Sequence, residues 1–140
     1  MTDHANIEIG NKLSELDRLH QTLADFCRRH GLAAKVARDL KLALEEIVTN
    51  IITHGYTDDR EHFIGVHLNV QPGEVKIDVE DDGRPFNPLE APEVDTTTSL
   101  GDRPIGGLGI HLVRKVTDDL EYKRLGDKNL FTLKKKIHGS

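Results

Sequence analysis

The residues of this 140-residue chain that could do chemistry fall into three groups. In the first, Glu46 and Asn50 stand four apart, so on a helix they lie about one turn apart on the same stripe. A carboxamide oxygen placed there can ligate a hard cation such as Mg²⁺, and a carboxylate one turn away can orient or deprotonate a hydroxyl that attacks a phosphate. The same pair is also what the wet margin of an ordinary amphipathic helix looks like. Glu45, turned by about 100°, falls on the other flank and is expected to face solvent.

In the second group an acid points where an apolar row points: Val75, Ile77, Val79 and Asp81 share one face of an alternating strand. Burying an unpaired carboxylate is costly, so Asp81 must meet either local turn amides or a ligand at the strand's end. The exocyclic amino group of adenine is one such ligand donor, and a carboxylate acceptor there selects adenine over guanine. Gly83, two residues on, leaves room for close approach to the backbone. The third group is Gly106-Gly107-Leu108-Gly109-Ile110, just before and within the start of a predicted helix. Free backbone N–H groups at a helix N-terminus, unshielded by side chains, make a phosphate cradle; a flexible hinge is the alternative. The glycine spacing is neither the dinucleotide fingerprint nor the P-loop, and the eukaryotic-type kinase signatures are absent.

These groups need elements to hold them. Ile7 and Ile9 suggest a short first strand. Leu13, Leu16, Leu19, Leu23 and Phe26 recur at helical spacing from Asn11 to about His30, and Gly31 ends that helix. A second helix is predicted from about Ala33 to His54, with Val36, Leu40, Leu44, Ile47, Val48, Ile51 and Ile52 inward and Gly55 as its stop. Ile64, Val66, Leu68 and Val70 alternate with polar residues, as does the row ending at Asp81, and Gln71-Pro72-Gly73 between them is hairpin chemistry. The proline-rich stretch between Gly83 and Gly106 reads as a long loop, and loops of that length in a compact domain tend to be lids or binding loops. A third helix near Leu108 to Val116 and strands near Leu120 to Leu125 and Leu130 to Ile137 give the order βααββαββ. One α+β domain over residues 1–140 is expected, with helices stacked on one face of a mostly antiparallel sheet.

Composition limits the partners. A formal net charge of −5 argues against a nucleic-acid backbone, which needs a concentrated basic face. Lys134-Lys135-Lys136 is the one basic cluster and is expected to be a solvated strand edge that discourages pairing. The apolar runs are too short to cross a bilayer, and the acidic, polar start MTDHANIEIG carries no export signal, so the cytosol is the expected compartment. The lone Cys27 fits a reducing compartment and a packing role. The eight histidines show no metal-ligand spacing, with His62 and His67 expected on opposite strand faces, and all are read as structural or solvent-facing.

Taken in order, the helix carrying Glu46 and Asn50, the strand ending Asp81-Asp82-Gly83-Arg84-Pro85-Phe86-Asn87-Pro88 and the glycine cluster opening a helix resemble the Bergerat-fold (GHKL) ATPases. The Asp-x-Gly-x-Pro-Phe form, the run Thr49 to Tyr56 and the ending Asn129-Leu130-Phe131-Thr132-Leu133 look most like the anti-sigma-factor serine kinases. The resemblance implies a two-layer α/β sandwich with a mixed, mostly antiparallel sheet, an ATP lid over residues 87–105, and ATP with Mg²⁺ as ligands. It implies Glu46 as catalytic base, Asn50 as Mg²⁺ ligand, and Asp81, Gly83, Pro85, Phe86, Gly106, Gly107, Leu108, Gly109, Ile110 and Thr132 around the nucleotide. It further implies phosphorylation of a serine or threonine on a small anti-sigma-factor antagonist, sequestration of a sigma factor, and a homodimer, with Arg18 a candidate for the protein-binding surface. Two rivals carry different consequences: an ATP-gated module that sequesters a partner without phosphorylating it, and an ATP hydrolase that drives a clamp. The second is disfavoured because a single domain is expected over these residues, with no second one for a clamp to move.

Overall fold

The computed structural model of the chain describes residues 4–90 and 109–137. In chain order it contains β1 (His4–Gly10), α1 (Leu16–Arg29), α2 (Ala34–His54), β2 (Phe63–Gln71), β3 (Glu74–Asp81), α3 (Gly109–Val116), β4 (Asp119–Leu125) and β5 (Lys128–Lys136), the order the periodicity predicts. The helices cover one face of a five-stranded sheet in the order β1-β2-β3-β5-β4. Each of its four pairings is antiparallel, so the described sheet is uniform where a mostly antiparallel one was expected. No helix among the described residues is long and apolar enough to cross a membrane.

Local chemistry sets the element ends. α1 begins later than its apolar stripe suggests, because Glu15 turns back to accept the Gly10 N–H at 3.0 Å and a short 3₁₀ turn over Leu13–Glu15 intervenes. It closes at Gly31, whose φ of +63° is left-handed and lets the Leu32 N–H reach the Cys27 carbonyl at 3.0 Å. The β2–β3 hairpin turns on Pro72 and Gly73, with Gln71 opposite Glu74. The β4–β5 hairpin turns on Gly126 and Asp127, with Leu125 opposite Lys128.

The core lies between sheet and helices. Ile64, Val66, Leu68, Val75, Ile77, Val79, Phe131 and Leu133 are buried on the sheet side, against Leu19, Leu23, Phe26, Leu40, Leu44, Ile47 and Ile51 from α1 and α2. Each such large side chain contributes about 1.5–3 kcal/mol on leaving water. Cys27 is part of this core, and burial pushes its thiol pKa up, as its packing role requires.

The lysine cluster corrects its expectation. β5 is an interior strand, bonded to β3 on one side and β4 on the other, so Lys134-Lys135-Lys136 is not at a free edge. Lys135 takes the core-side phase of the strand and crosses to α2, where its Nζ lies 3.0 Å from Asp39 Oδ2. Both side chains are nearly out of solvent, at 13% and 10% exposure, and Lys35 adds a second bond to the same oxygen at 3.2 Å from the surface. Burial alone would raise the Asp39 pKa, but the hydrogen bonds and charges of Lys135 and Lys35 outweigh it and hold the carboxyl below its usual range.

Candidate functional site

On α2 the buried face runs through Ala43, Leu44, Ile47, Val48 and Ile51, and helical spacing sets Glu46 and Asn50 along its border. Asn50 is 2% exposed and Glu46 half-buried. Among the described residues neither Glu46 Oε1 nor Asn50 Nδ2 has a hydrogen-bond partner, although both atoms are out of solvent. A folded chain leaves few polar atoms in that condition, so the pair is built to meet something beyond the described protein atoms. Burial pushes the Glu46 pKa above the usual carboxylate value; the Asn50 amide opposes the shift from close by, and Glu45 adds to it. Glu45 itself is about half exposed and sits 3.9 Å from His20, so it faces a neighbouring helix as well as solvent.

The end of β3 folds against the end of this helix. The Arg84 N–H donates to the Gly55 carbonyl at 2.9 Å, and the Arg84 side chain donates through Nε to the His54 carbonyl at 2.7 Å. That guanidinium also lies 5.3 Å from the centre of the Phe86 ring, which is half-buried against His54. At 1.5 Å per residue, Asn50 lies about 6 Å and Glu46 about 12 Å back from His54 along the helix axis. Asp81 and the Glu46–Asn50 pair therefore belong to one region.

Asp81 is 3% exposed, and the local turn-amide reading holds for one of its oxygens. Its Oδ1 accepts the Gly83 N–H at 2.8 Å, the local turn amide, and the Asn129 side-chain amide at 2.9 Å. Among the described residues none donates to Oδ2. Burial raises the Asp81 pKa; Asn129, the Gly83 N–H and Arg124 oppose that, while Asp82 adds to it. Tyr56 lies alongside, with its hydroxyl buried and unpartnered among the described residues. Burial and the charges of Asp81 and Asp82 drive the Tyr56 pKa strongly upward, so the hydroxyl stays protonated and remains a donor. The Tyr56 ring stacks on His62 at 4.5 Å, and His62 bridges Asp58 at 2.8 Å and Asp82 at 3.1 Å.

Several expected site residues take different places. Thr132 does not face this region: strand alternation puts it opposite Asp78 on the outer face of the sheet, where its hydroxyl donates to Asp78 Oδ1 at 2.5 Å. Asn129 is the β5 residue opposite Asp81, on the helix side. Gly83 has less room for a ligand than expected, because a Cβ there would stand 2.4 Å from the Gly55 carbonyl oxygen; the close approach is made by the chain itself. The Ile110 side chain is buried in the core, so only its backbone N–H in the first turn of α3 is left for a ligand. Pro85 is exposed beside Phe86. Gly106, Gly107 and Leu108, and the lid beyond residue 90, lie outside the described residues; Gly109 opens α3, which packs along α2. Arg18 pairs with Glu15 at 3.0 Å on the exposed side of α1.

Tyr56, Tyr122, Arg124 and Asn129 are the contributors sequence reasoning passed over. A signal for Asn129 was present: in phase with Phe131 and Leu133, it is a polar residue at a core position of its strand.

Helices on one face of an antiparallel sheet, with an orphaned Glu–Asn pair beside a buried acid, are the arrangement of a nucleotide-binding ATPase domain. Residues 9–135 match the histidine kinase-like ATPase domain, nearly the whole chain, and the chain belongs to that family. Its relatives place it among the anti-sigma-type serine kinases. The chain is 25% identical over 124 residues to a serine-protein kinase RsbW of Oceanobacillus iheyensis, covering 85% of this chain and 78% of that one. It is 30% identical over 111 residues to the serine/threonine-protein kinase BtrW of Bordetella bronchiseptica, covering 79% and 78%. An anti-sigma F factor of Clostridium perfringens is 32% identical over 98 residues, with 70% of each chain covered. In fold, the crystal structure of the RsbU and RsbW domains of a Mycobacterium tuberculosis protein superposes with a TM-score of 0.67 at 16% identity, over 97% of this chain and 33% of that longer one.

Proposed function

We propose that the chain is an ATP-dependent serine/threonine protein kinase and anti-sigma factor, which phosphorylates a small antagonist protein and sequesters a sigma factor in a partner switch. The observation that carries this reading is the orphaned pair on α2: a buried carboxylate oxygen of Glu46 and the buried carboxamide nitrogen of Asn50, one turn apart and each without a partner among the described residues. Kinase and anti-sigma relatives that align over most of their length support it.

In this reading Asp81 Oδ2 accepts the exocyclic amino group of adenine, and Tyr56 offers a donor at the same edge. The glycine-rich entry to α3 supplies backbone N–H groups to the phosphates, aided by the positive end of the helix. The side-chain oxygen of Asn50 fits a hard cation and would hold Mg²⁺, which when bound neutralises charge developing on the transferred phosphoryl group. Glu46 takes the proton from the acceptor serine or threonine hydroxyl. Its raised pKa makes it a stronger base than an ordinary glutamate, and this proton transfer supplies about 10²–10⁴-fold of the rate. The reading includes a cytoplasmic location and a homodimer.

The test is calorimetric ATP binding together with phosphotransfer to a candidate antagonist, on the native chain and on Glu46→Gln. The expected result is ATP binding by both proteins, no comparable binding of GTP, and phosphotransfer reduced about 10²-fold or more in the variant. An ATP-gated sequestering module would bind ATP and show no phosphotransfer even in the native form. A folded native chain that does not bind ATP would refute both.

A further inference from the structure

The acid at the end of β3 does not stand alone. Asn129 faces it directly across the β3–β5 pairing, is itself 2% exposed, and makes hydrogen bonds on both sides of its amide. Its Nδ2 donates to Asp81 Oδ1 at 2.9 Å and to the Arg84 carbonyl at 2.7 Å. A carboxylate and a carbonyl can only accept, so the amide orientation is forced, and Oδ1 of Asn129 is left to receive a donor. Tyr122, on β4, supplies it: its hydroxyl donates to Asn129 Oδ1 at 2.5 Å. Arg124, two residues along the same strand, donates to the Gly83 carbonyl at 2.8 Å and holds the backbone of the corner.

We propose that Asn129, locked in orientation by Tyr122, is a positioning residue of the adenine site: it occupies Oδ1 of Asp81 so that only Oδ2 is offered to the purine amino group. The proposal rests on the reading of this corner as an adenine pocket. A carboxylate free to rotate would present either oxygen, or trade a ligand contact for a local one. Held on one oxygen by two donors, from Gly83 and Asn129, it presents a single acceptor in a fixed direction. A site built to accept an amino proton discriminates against a purine that carries an oxo group instead, because the acceptor is then left unpaired.

The arrangement also bears on protonation. Burial favours the neutral acid, and the hydrogen bond from the Asn129 amide is the strongest opposition to it. The other groups facing Asp81 are Asp82 on its own chain segment, Arg124 from β4 and the Tyr56 hydroxyl from beyond α2, with His62 engaging Asp82. A protonated Asp81 would lose its value as an acceptor for adenine. Removing the Asn129 amide therefore moves the acid limb of ATP binding to higher pH.

The experiment compares ATP and inosine triphosphate binding by calorimetry across pH 5–8 for the native chain, Asn129→Ala and Tyr122→Phe. It is paired with an NMR titration of the Asp81 carboxyl carbon in the nucleotide-free proteins. Asn129→Ala is expected to weaken ATP about 10- to 100-fold, the range for a hydrogen bond to a charged group, and to leave inosine triphosphate, already weak, nearly unchanged. Tyr122→Phe removes one oxygen and keeps the shape, so it carries the test if Asn129→Ala does not fold; about a 3- to 10-fold loss for ATP alone is expected. Both variants should titrate Asp81 at higher pH than the native protein. A purely structural role would lower both nucleotides together, and unchanged selectivity with an unmoved Asp81 titration in native-like variants would overturn the proposal while native ATP binding left the nucleotide reading intact. Failure of the folded native chain to bind ATP would overturn that reading, and this proposal with it.

Discussion

Gly83→Ala is the substitution whose cost the structure defines most sharply. An added Cβ would lie 2.4 Å from the Gly55 carbonyl oxygen, 3.1 Å from its carbon and 3.0 Å from Asp81 Oδ1. Real Cβ contacts essentially never fall below 3.0 Å, so one of two backbone segments must retreat by more than half an ångström. Neither does so freely: the Gly55 carbonyl also accepts the Arg84 N–H at 2.9 Å, and Gly83 N–H is bonded to Asp81. Overpacking of this kind costs about 1–3 kcal/mol, and a strained or lost hydrogen bond about 0.5–1.5 more, for a total of about 2–4 kcal/mol. At roughly 4 °C per kcal/mol for a domain of this size, Tm should fall about 8–16 °C. Scanning calorimetry with Gly65→Ala as control checks this. At Gly65 the nearest atom to a new Cβ is His67 Nε2 at 3.6 Å, an ordinary contact, so its Tm should hold or rise slightly. ATP affinity should fall in Gly83→Ala as well, because the displaced corner carries Asp81. If glycine were there only to admit a ligand, stability would be unchanged while ATP binding fell, and that result would refute the packing argument.

Other consequences are open to measurement. Lys135→Met should destabilise the fold by about 1–3 kcal/mol, less than the full penalty for orphaning a buried charge because Lys35 still reaches Asp39. Since the Asp39 pKa is depressed in the fold, the stability from this cluster is present above the unfolded carboxyl value. It is lost as pH falls through the folded one, so urea titrations should show the native and Lys135→Met proteins converging below about pH 4. His62 runs the other way. Its pKa is raised, first by the hydrogen bond to Asp58 and then by the charges of Asp58 and Asp82, against a smaller loss from burial. Its stabilisation is fully present below about pH 6.5 and fades as pH rises through the higher folded value, so the stability gap to His62→Gln should narrow as pH rises above about 6.5. A gap that is flat with pH would show that His62 acts by stacking on Tyr56 and not by charge.

Much of the fold was legible because it rests on local patterns. The helical stripes of α1 and α2, the alternation of β2 and β3 and the turn chemistry at Gly31 and Pro72-Gly73 each depend on neighbours within a few residues. The placement of Glu46 and Asn50 on one stripe, and of Asp81 on the apolar side of its strand, followed from the same periods. Errors arose where pairing decided the outcome. Thr132 was expected at the nucleotide and Lys134-Lys135-Lys136 at a free edge, yet a strand's face and its position in the sheet are set by register and by partners distant in sequence.

What the sequence alone determined was therefore the inventory and its phases: an acid inside an apolar row, a carboxylate and a carboxamide one turn apart, glycines before a helix. Only the tertiary structure decided what each group meets. It seated β5 between β3 and β4, so that Asn129 opposes Asp81 and Lys135 reaches Asp39. It also brought Gly55 against Gly83, joining the end of α2 to the end of β3. Such contacts join segments 28 to 96 residues apart along the chain, Gly55 to Gly83 the nearest and Asp39 to Lys135 the farthest. No local period encodes them, because they follow from the packing of the whole sheet against its helices.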